Sequence, residues 1–284
     1  MKSGFLFVAS LFFTALPVAA AGPSPPRRVA SLNLSADEVL VEILPLERLV
    51  SVTRWADEVG TSNIVGRVPP SVFRIQKVDM ERLVSLAPDL VVVSEYTDAD
   101  FLRLLERSGI RHHRMKGLSS LAGVRAAILD LGREVGASNK ASRLVARYDA
   151  TLREIARRLA GAGRPRVLYW AGGMTAGGDT AIGALIEGAG GINVGREMGV
   201  QGIAPPGAER AFVADPDVVL VGTWPLAAES LKRDPLLSQM RAIREGRIVV
   251  IPNELLVALS QYTADACWHL AAALHPDRVP RTRP

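Results

Sequence analysis

One arrangement occurs twice in this chain. Glu81-Arg82 stands seven residues ahead of Pro88-Asp89 and an apolar run, and Glu209-Arg210 stands seven residues ahead of Pro216-Asp217 and a second apolar run. Proline disfavours the helical region for the residue before it, so each Pro-Asp pair ends a short helix that begins near its glutamate and turns the chain into a strand. Two copies of one helix–strand unit call for two like lobes rather than one continuous sheet. Taken alone, the two glutamates do no more than favour the positive ends of their helices, worth about 0.3–1 kcal/mol each.

The alternation of elements on either side of the chain's middle agrees. In the first half, strands are expected at Arg28–Leu32, Arg48–Thr53, Leu90–Val93 and Ile110–Met115. Helices are expected at Ala36–Leu44, with Ser35 as N-cap and Asp37 and Glu38 in the first turn, at Met80–Ser85, at Ala99–Ser108 and at Leu121–Val135. Ala141–Leu159 holds no Gly or Pro, and Leu144, Val145, Tyr148, Leu152, Ile155 and Leu159 recur at helical spacing. At 1.5 Å per residue, a helix of about 20 residues reaches roughly 30 Å, enough to bridge two lobes. After it come expected strands at Arg166–Trp170, Val218–Val221 and Arg247–Ile251, and helices at Ala181–Ala189, Pro235–Ala242 and about Tyr262 to Leu274. The expected fold is α/β, with two Rossmann-like lobes, each with a mostly parallel sheet, joined by one long rigid α-helix. The divisions are an N-terminal lobe at 27–137, the linking helix at 138–162, a C-terminal lobe at 163–275 and a charged tail at 276–284 that is expected to fray.

Composition removes several kinds of function. The 34 basic and 29 acidic residues give a net charge of +5 with no basic block, so nucleic acid is not an expected partner. The single Cys267 allows no disulfide within the chain and reads as a buried residue of the closing helix. Of the four histidines, His112 and His113 are adjacent in a strand and face opposite ways, while His269 and His275 lie in or after the last helix, so no metal site is expected. Gly172-Gly173 and Gly177-Gly178 read as turns, because neither a phosphate-binding Gly-Lys-Ser/Thr nor a dinucleotide fingerprint accompanies them. G-x-S-x-G and H-E-x-x-H are also missing, so nothing positive points to an enzyme. At the amino terminus, Lys2 precedes an apolar run from Phe5 to Val18, followed by small residues at Ala19 and Ala21. The run is about 14 residues, short of the roughly 20 that span a bilayer, so residues 1–21 read as a cleaved signal peptide. No cysteine near the cut provides a lipid anchor, and the expected location is periplasmic.

Three segments carry a resemblance. Arg28–Leu32, Arg48-Leu49-Val50-Ser51-Val52-Thr53, and Glu81-Arg82-Leu83-Val84-Ser85-Leu86-Ala87-Pro88-Asp89-Leu90-Val91 resemble the periplasmic substrate-binding proteins for vitamin B12 and iron complexes, the helical-backbone class that serves ABC importers. The resemblance implies a small-molecule metal chelate held in the cleft between the lobes and delivered to the permease subunits of an ABC transporter, by a monomer. It also implies that one glutamate per lobe meets arginines of the permease, which assigns docking to Glu81 and Glu209. A rigid connecting helix implies only small lobe closure.

In open α/β sheets the ligand lies beyond the carboxyl ends of the strands. Trp55, Tyr96, Trp170 and Trp224 each follow an expected strand, and they are four of the chain's eight Trp and Tyr residues. With Met174 and Glu254 they form the expected ligand-binding set, and Arg54, Asp57 and Thr175 in the same loops could add polar contacts. An aromatic wall suits a corrinoid or a ferric siderophore better than a bare ion. Corrinoid is slightly preferred, from the resemblance around Val50–Asp57 and the neutral aromatic residues. Heme ranks lower, since Phe73-Arg74-Ile75-Gln76 stands where a heme-binding relative carries its ligating tyrosine. A periplasmic enzyme on a similar two-lobed scaffold is the alternative of another class.

Overall fold

The computed structural model describes residues 24–77, 79–224 and 227–283; the signal peptide expected at 1–21 lies outside them. The first lobe runs Val29–Ser31 (β1), Leu34–Ile43 (α1), Leu49–Thr53 (β2), Phe73–Ile75 (β3), Met80–Ser85 (α2), Leu90–Ser94 (β4), Ala99–Arg107 (α3), His112–Met115 (β5) and Leu121–Glu134 (α4). Its five strands form a parallel sheet in the order β3-β2-β1-β4-β5. Leu90, Val91, Val92 and Val93 are wholly buried, as a strand covered on both faces requires. Helix α1 begins two residues earlier than expected, because Asn33 rather than Ser35 caps it, its Oδ1 accepting from the Ala36 N–H at 2.8 Å. The short β3 was not expected from its Gly- and Pro-rich surroundings; it is held by its parallel ladder to β2.

Helix Ser138–Arg158 (α5) follows, 21 residues long. Its Ala141, Leu144, Val145 and Tyr148 belong to the core of the first lobe, Ile155 belongs to the core of the second, and Leu152 packs against both. The second lobe contains Arg166–Tyr169 (β6), Thr175–Ala176 (β7), Ala181–Gly188 (α6), Ile192–Asn193 (β8), Val194–Glu197 (α7), Ile203–Ala204 (β9) and Ala208–Val213 (α8). It continues with Val218–Gly222 (β10), Ala227–Arg233 (α9), Arg241–Arg244 (α10), Ile248–Ile251 (β11), Asn253–Leu256 (α11) and Thr263–Leu274 (α12). Its parallel sheet has the order β11-β10-β6-β8, and β7 and β9 pair antiparallel beside it. The helix expected at Pro235–Ala242 is broken into a 3-10 turn at Leu237–Gln239 and α10, since Met240 between them is extended at φ −59°, ψ 138°.

The order β2-β1-β4-β5 of the first sheet recurs as β8-β6-β10-β11 in the second, and the sequence repeat becomes a repeated clamp. The Asp89 carboxylate accepts from the backbone N–H groups of Arg27 and Arg28 at 2.7 and 2.9 Å, and that of Asp217 accepts from the Arg166 N–H at 2.9 Å. The Arg28 guanidinium donates to the carbonyls of Leu86 and Ala87 at the end of α2. Arg166 does the same to Ala214 and Asp215 at the end of α8. Ala87 (φ 44°) and Asp215 (φ 39°), each just before its proline, are the only non-glycine residues with positive φ among the described residues. A left-handed residue costs roughly 1–2 kcal/mol. The carbonyl-capping arginine and the aspartate offset that cost in both lobes.

Rather than fraying, the tail is docked through Arg283. Val279 is buried, the Trp268 indole N–H donates to the Pro280 carbonyl at 3.0 Å, and Arg283 reaches Thr151 of α5 and Asp265 of α12 at 2.9 and 2.7 Å. Polar composition suggested a loose end, but the groove between α5 and α12 takes one apolar side chain and supplies partners for the rest. Deleting residues 276–284 should therefore lower thermal stability, with the loss of Val279 burial alone worth roughly 1.5–3 kcal/mol. An unchanged melting temperature in the truncated protein would refute this docking.

Candidate functional site

Every strand of the two main sheets runs parallel within its sheet, so helix amino termini and loops gather at the carboxyl edges. Trp55 sits in the 3-10 turn Arg54–Asp57 directly after β2, Tyr96 follows β4, Trp224 follows β10, and Glu254 lies in α11 after β11. A cavity of about 420 Å³ opens between the lobes. Tyr96 and Leu118 wall it from the first lobe and Ile182 and Ile203 from the second, while Leu256, Val257 and Leu259 form its floor. Large apolar side chains normally avoid water, yet Trp55 is 42%, Tyr96 79% and Trp224 40% exposed at these strand ends. The Arg54 guanidinium lies 3.6 Å over the Trp55 ring, a cation–π contact that holds the indole face-on to a charge.

Other expected site residues are placed elsewhere. Trp170 is buried in the core of the second lobe with Leu168, Val194 and Val219, because, although β6 ends at Tyr169, its N–H still bonds to the Leu220 carbonyl of β10. Met174 is half-buried and closes a tight hairpin with Ala171, across Gly172 and Gly173 at φ 55° and 83°. Thr175 is buried and donates to the Tyr169 carbonyl. Asp57 is taken up by the Arg74 guanidinium, which also binds the carbonyls of Val68, Pro69 and Val72 and so ties down the loop behind Trp55. The half-buried Glu254 offers its backbone carbonyl to the Asn63 side chain at 2.7 Å. His112 and His113 line a separate hollow of about 480 Å³ with Lys116 and Arg133, which shares no lining residue with the cleft. Among the described residues no group of three or more His, Cys, Asp or Glu could hold a metal ion, and no helix is long and apolar enough to cross a membrane.

Two acids of α1 were expected only as partners of its dipole. Asp37 and Glu38 are instead buried. Helix α1 carries Ala36, Val39, Leu40, Val41 and Ile43 almost all round, so a polar residue embedded among them has no solvent face. That apolar circumference was the signal in the sequence. Asp37 Oδ2 accepts from the Thr53 N–H at 3.0 Å and its hydroxyl at 2.6 Å, pinning the end of β2 two residues before Trp55. Burial pushes the Asp37 carboxyl up to about 7, against hydrogen bonds from Ser31 and Thr53 that pull it down. Burial also raises Glu38, opposed by hydrogen bonds from Ser260 and Asn63.

Comparison with known proteins agrees with this architecture. Residues 29–255 match the family model described as periplasmic binding protein. A cobalamin-binding protein of Halobacterium salinarum is 31% identical over 203 residues, which cover 70% of this chain and 54% of that one, so the chain spans about half the length of the curated relative. Among solved structures, a periplasmic heme-binding protein from Roseiflexus sp. RS-1 aligns with a TM-score of 0.76 at 24% identity, covering 88% of this chain and 98% of its own. A periplasmic heme-binding protein from Pseudomonas aeruginosa aligns with a TM-score of 0.75 at 25% identity, covering 91% and 96%. These relatives are binding proteins, not enzymes.

The Asp37 shift has a definite sign. Its carboxyl holds a proton more tightly when folded than at the ordinary 3.8, so its protonated form stabilises the fold fully below pH 3.8, and that contribution is lost as the pH rises to about 7. Denaturation titrations across that window should show stability falling by up to about 1.4 kcal/mol per pH unit from this group. Asp37→Asn should flatten the slope; an equally steep slope in the variant would remove Asp37 as its source.

Proposed function

The chain belongs to the periplasmic binding protein family, and from that premise we propose that it captures a metal chelate in the inter-lobe cleft and delivers it to the permease of an ABC importer. The observation that carries this reading is the exposed apolar wall. Trp55, Tyr96, Ile203, Trp224 and Val257 are all at least a third open to water, and Tyr96, Ile203 and Val257 line the cavity between the lobes. Covering such surface returns about 25 cal/mol per Å², so a broad, flat, largely apolar ligand gains most there. A corrinoid fits that description and is the preferred ligand. The cobalamin-binding relative supports the same preference.

Of the four polar side chains that line the cavity, Asp179 and Thr180 are already engaged. Both oxygens of Asp179 accept from the Gly202 N–H, and Thr180 caps α6. Orientation of the ligand then falls to a few free groups, the Tyr96 phenol and the Arg54 guanidinium among them. Arg54, exposed over Trp55, favours a second reading, an anionic ferric siderophore. The membrane partner is proposed to meet Glu81 and Glu209. Both are exposed, and each lies in the first turn of its helix, α2 or α8, at matching positions of the repeat. Helix α2 connects the parallel strands β3 and β4, so it runs back against them and its first turn stands at the cleft edge of the sheet. Matching carboxylates on two lobes would set the register of docking, each exposed pair adding about 0–1 kcal/mol.

Calorimetric titration with cyanocobalamin, cobinamide, heme and ferric siderophores should give saturable one-to-one binding for a corrinoid, weakened by Trp55→Ala and by Trp224→Ala. Tight binding of a siderophore alone would transfer the function to the second reading, and turnover of any added compound would overturn a carrier role. The double variant Glu81→Ala with Glu209→Ala should abolish uptake in cells while leaving ligand affinity nearly unchanged. Loss of affinity in that variant would refute the docking role.

A further inference from the structure

Helix α5 is the obvious connection between the lobes, but the chain ties them a second time. Leu256 belongs to the core of the second lobe, Leu259 and Tyr262 pack on the core of the first, and Ala266 is back in the second. Leu256, Val257 and Leu259 of this excursion line the cleft floor. What meets them from the first lobe is a buried carboxylate. Glu38 Oε2 accepts from the Ser260 hydroxyl, and its Oε1 accepts from the Asn63 N–H at 3.1 Å and the Asn63 side-chain amide at 2.8 Å. Its backbone carbonyl accepts from the Gln261 side chain at 2.9 Å. The Asn63 amide spends its other N–H on the Glu254 carbonyl at 2.7 Å. At the rim, Arg67 bonds to the Tyr262 hydroxyl at 2.9 Å and pairs with Glu42 at 2.7 Å.

We propose that Glu38 is a positioning residue for the cleft, a latch that fixes the floor segment and α11 against the first lobe and thereby sets the spacing of the two walls. A buried charged group gains little net stability over an apolar pair, and its value lies in admitting one geometry. Both carboxylate oxygens are satisfied, by donors from two elements that are remote in sequence: the loop holding Asn63, and the segment at Ser260. A sliding or tilting of the floor would strand the carboxylate without partners in a dry site, so the arrangement resists intermediate positions. Packing alone would not discriminate so sharply, because apolar contacts are non-directional.

The test measures the distance between the lobes. Spin labels are placed on Arg103→Cys in α3 and Lys232→Cys in α9, both exposed helical sites; the native Cys267 is buried and stays unlabelled. Wild type should give one narrow distance distribution. Glu38→Ala and Ser260→Ala should broaden or displace it, whereas Glu38→Gln should restore it, since the amide oxygen still accepts from Asn63 and its N–H can donate to the Ser260 hydroxyl. Where Glu38→Ala does not fold, Ser260→Ala and Asn63→Ala decide by the same reading. Alanine variants that melt earlier but keep the wild-type distribution would reduce Glu38 to ordinary packing and overturn the proposal. Cyanocobalamin affinity should fall about tenfold in the alanine variants and recover in Glu38→Gln. That arm rests on the function proposed above, while the distance arm does not, so a wrong ligand and a wrong latch give different results.

Discussion

A parallel strand covered on both faces can offer a partner nothing but its ends, and this constraint shapes the whole molecule. Leu90–Val93 in the first lobe and Val219–Val221 in the second are sealed by helices. Side chains with work to do are therefore pushed to the loops after the strands. Trp55, Tyr96 and Trp224 stay exposed just after such strands, and Tyr96 lines the cavity between the lobes. Trp170 follows a strand as they do, but the ladder to β10 continues through it, and it becomes core.

Holding two sheets in one relation requires connections that do not bend. Helix α5 meets that need by being part of two cores, so shifting one lobe along it would strip apolar contacts from the other. The excursion through residues 256–262 adds a connection of a different kind, polar and directional, at the floor of the cleft. The fold thus joins its halves by apolar packing along α5 and by a buried carboxylate under the site. The docked tail reinforces the first of these, since Arg283 bridges α5 and α12.

The duplication extends to individual hydrogen bonds. Arg28 with Asp89 and Arg166 with Asp217 perform the same task at the same point of two sheets, each pair closing a strained left-handed turn before a proline. The glutamates at the other ends of these short helices inherit equivalent positions for the same reason. Their symmetry follows from the scaffold.

The sequence by itself determined the elements whose signals are local. Pro-Asp pairs, apolar runs and a stretch without Gly or Pro marked α2, α8, β4, β10 and α5, because helix termination and strand burial depend on neighbours within a few residues. Even so, Asn33 displaced Ser35 as the cap of α1, since both are capping residues and only the backbone path chose between them. Tertiary structure alone decided which aromatic residues stay exposed and where the buried acids go. Trp55 and Trp170 look alike in sequence, and the difference lies in whether a neighbouring strand continues past them. Glu38 meets Ser260 across 222 residues of chain, a separation over which no periodicity or spacing carries information, so the latch exists only once both lobes are packed.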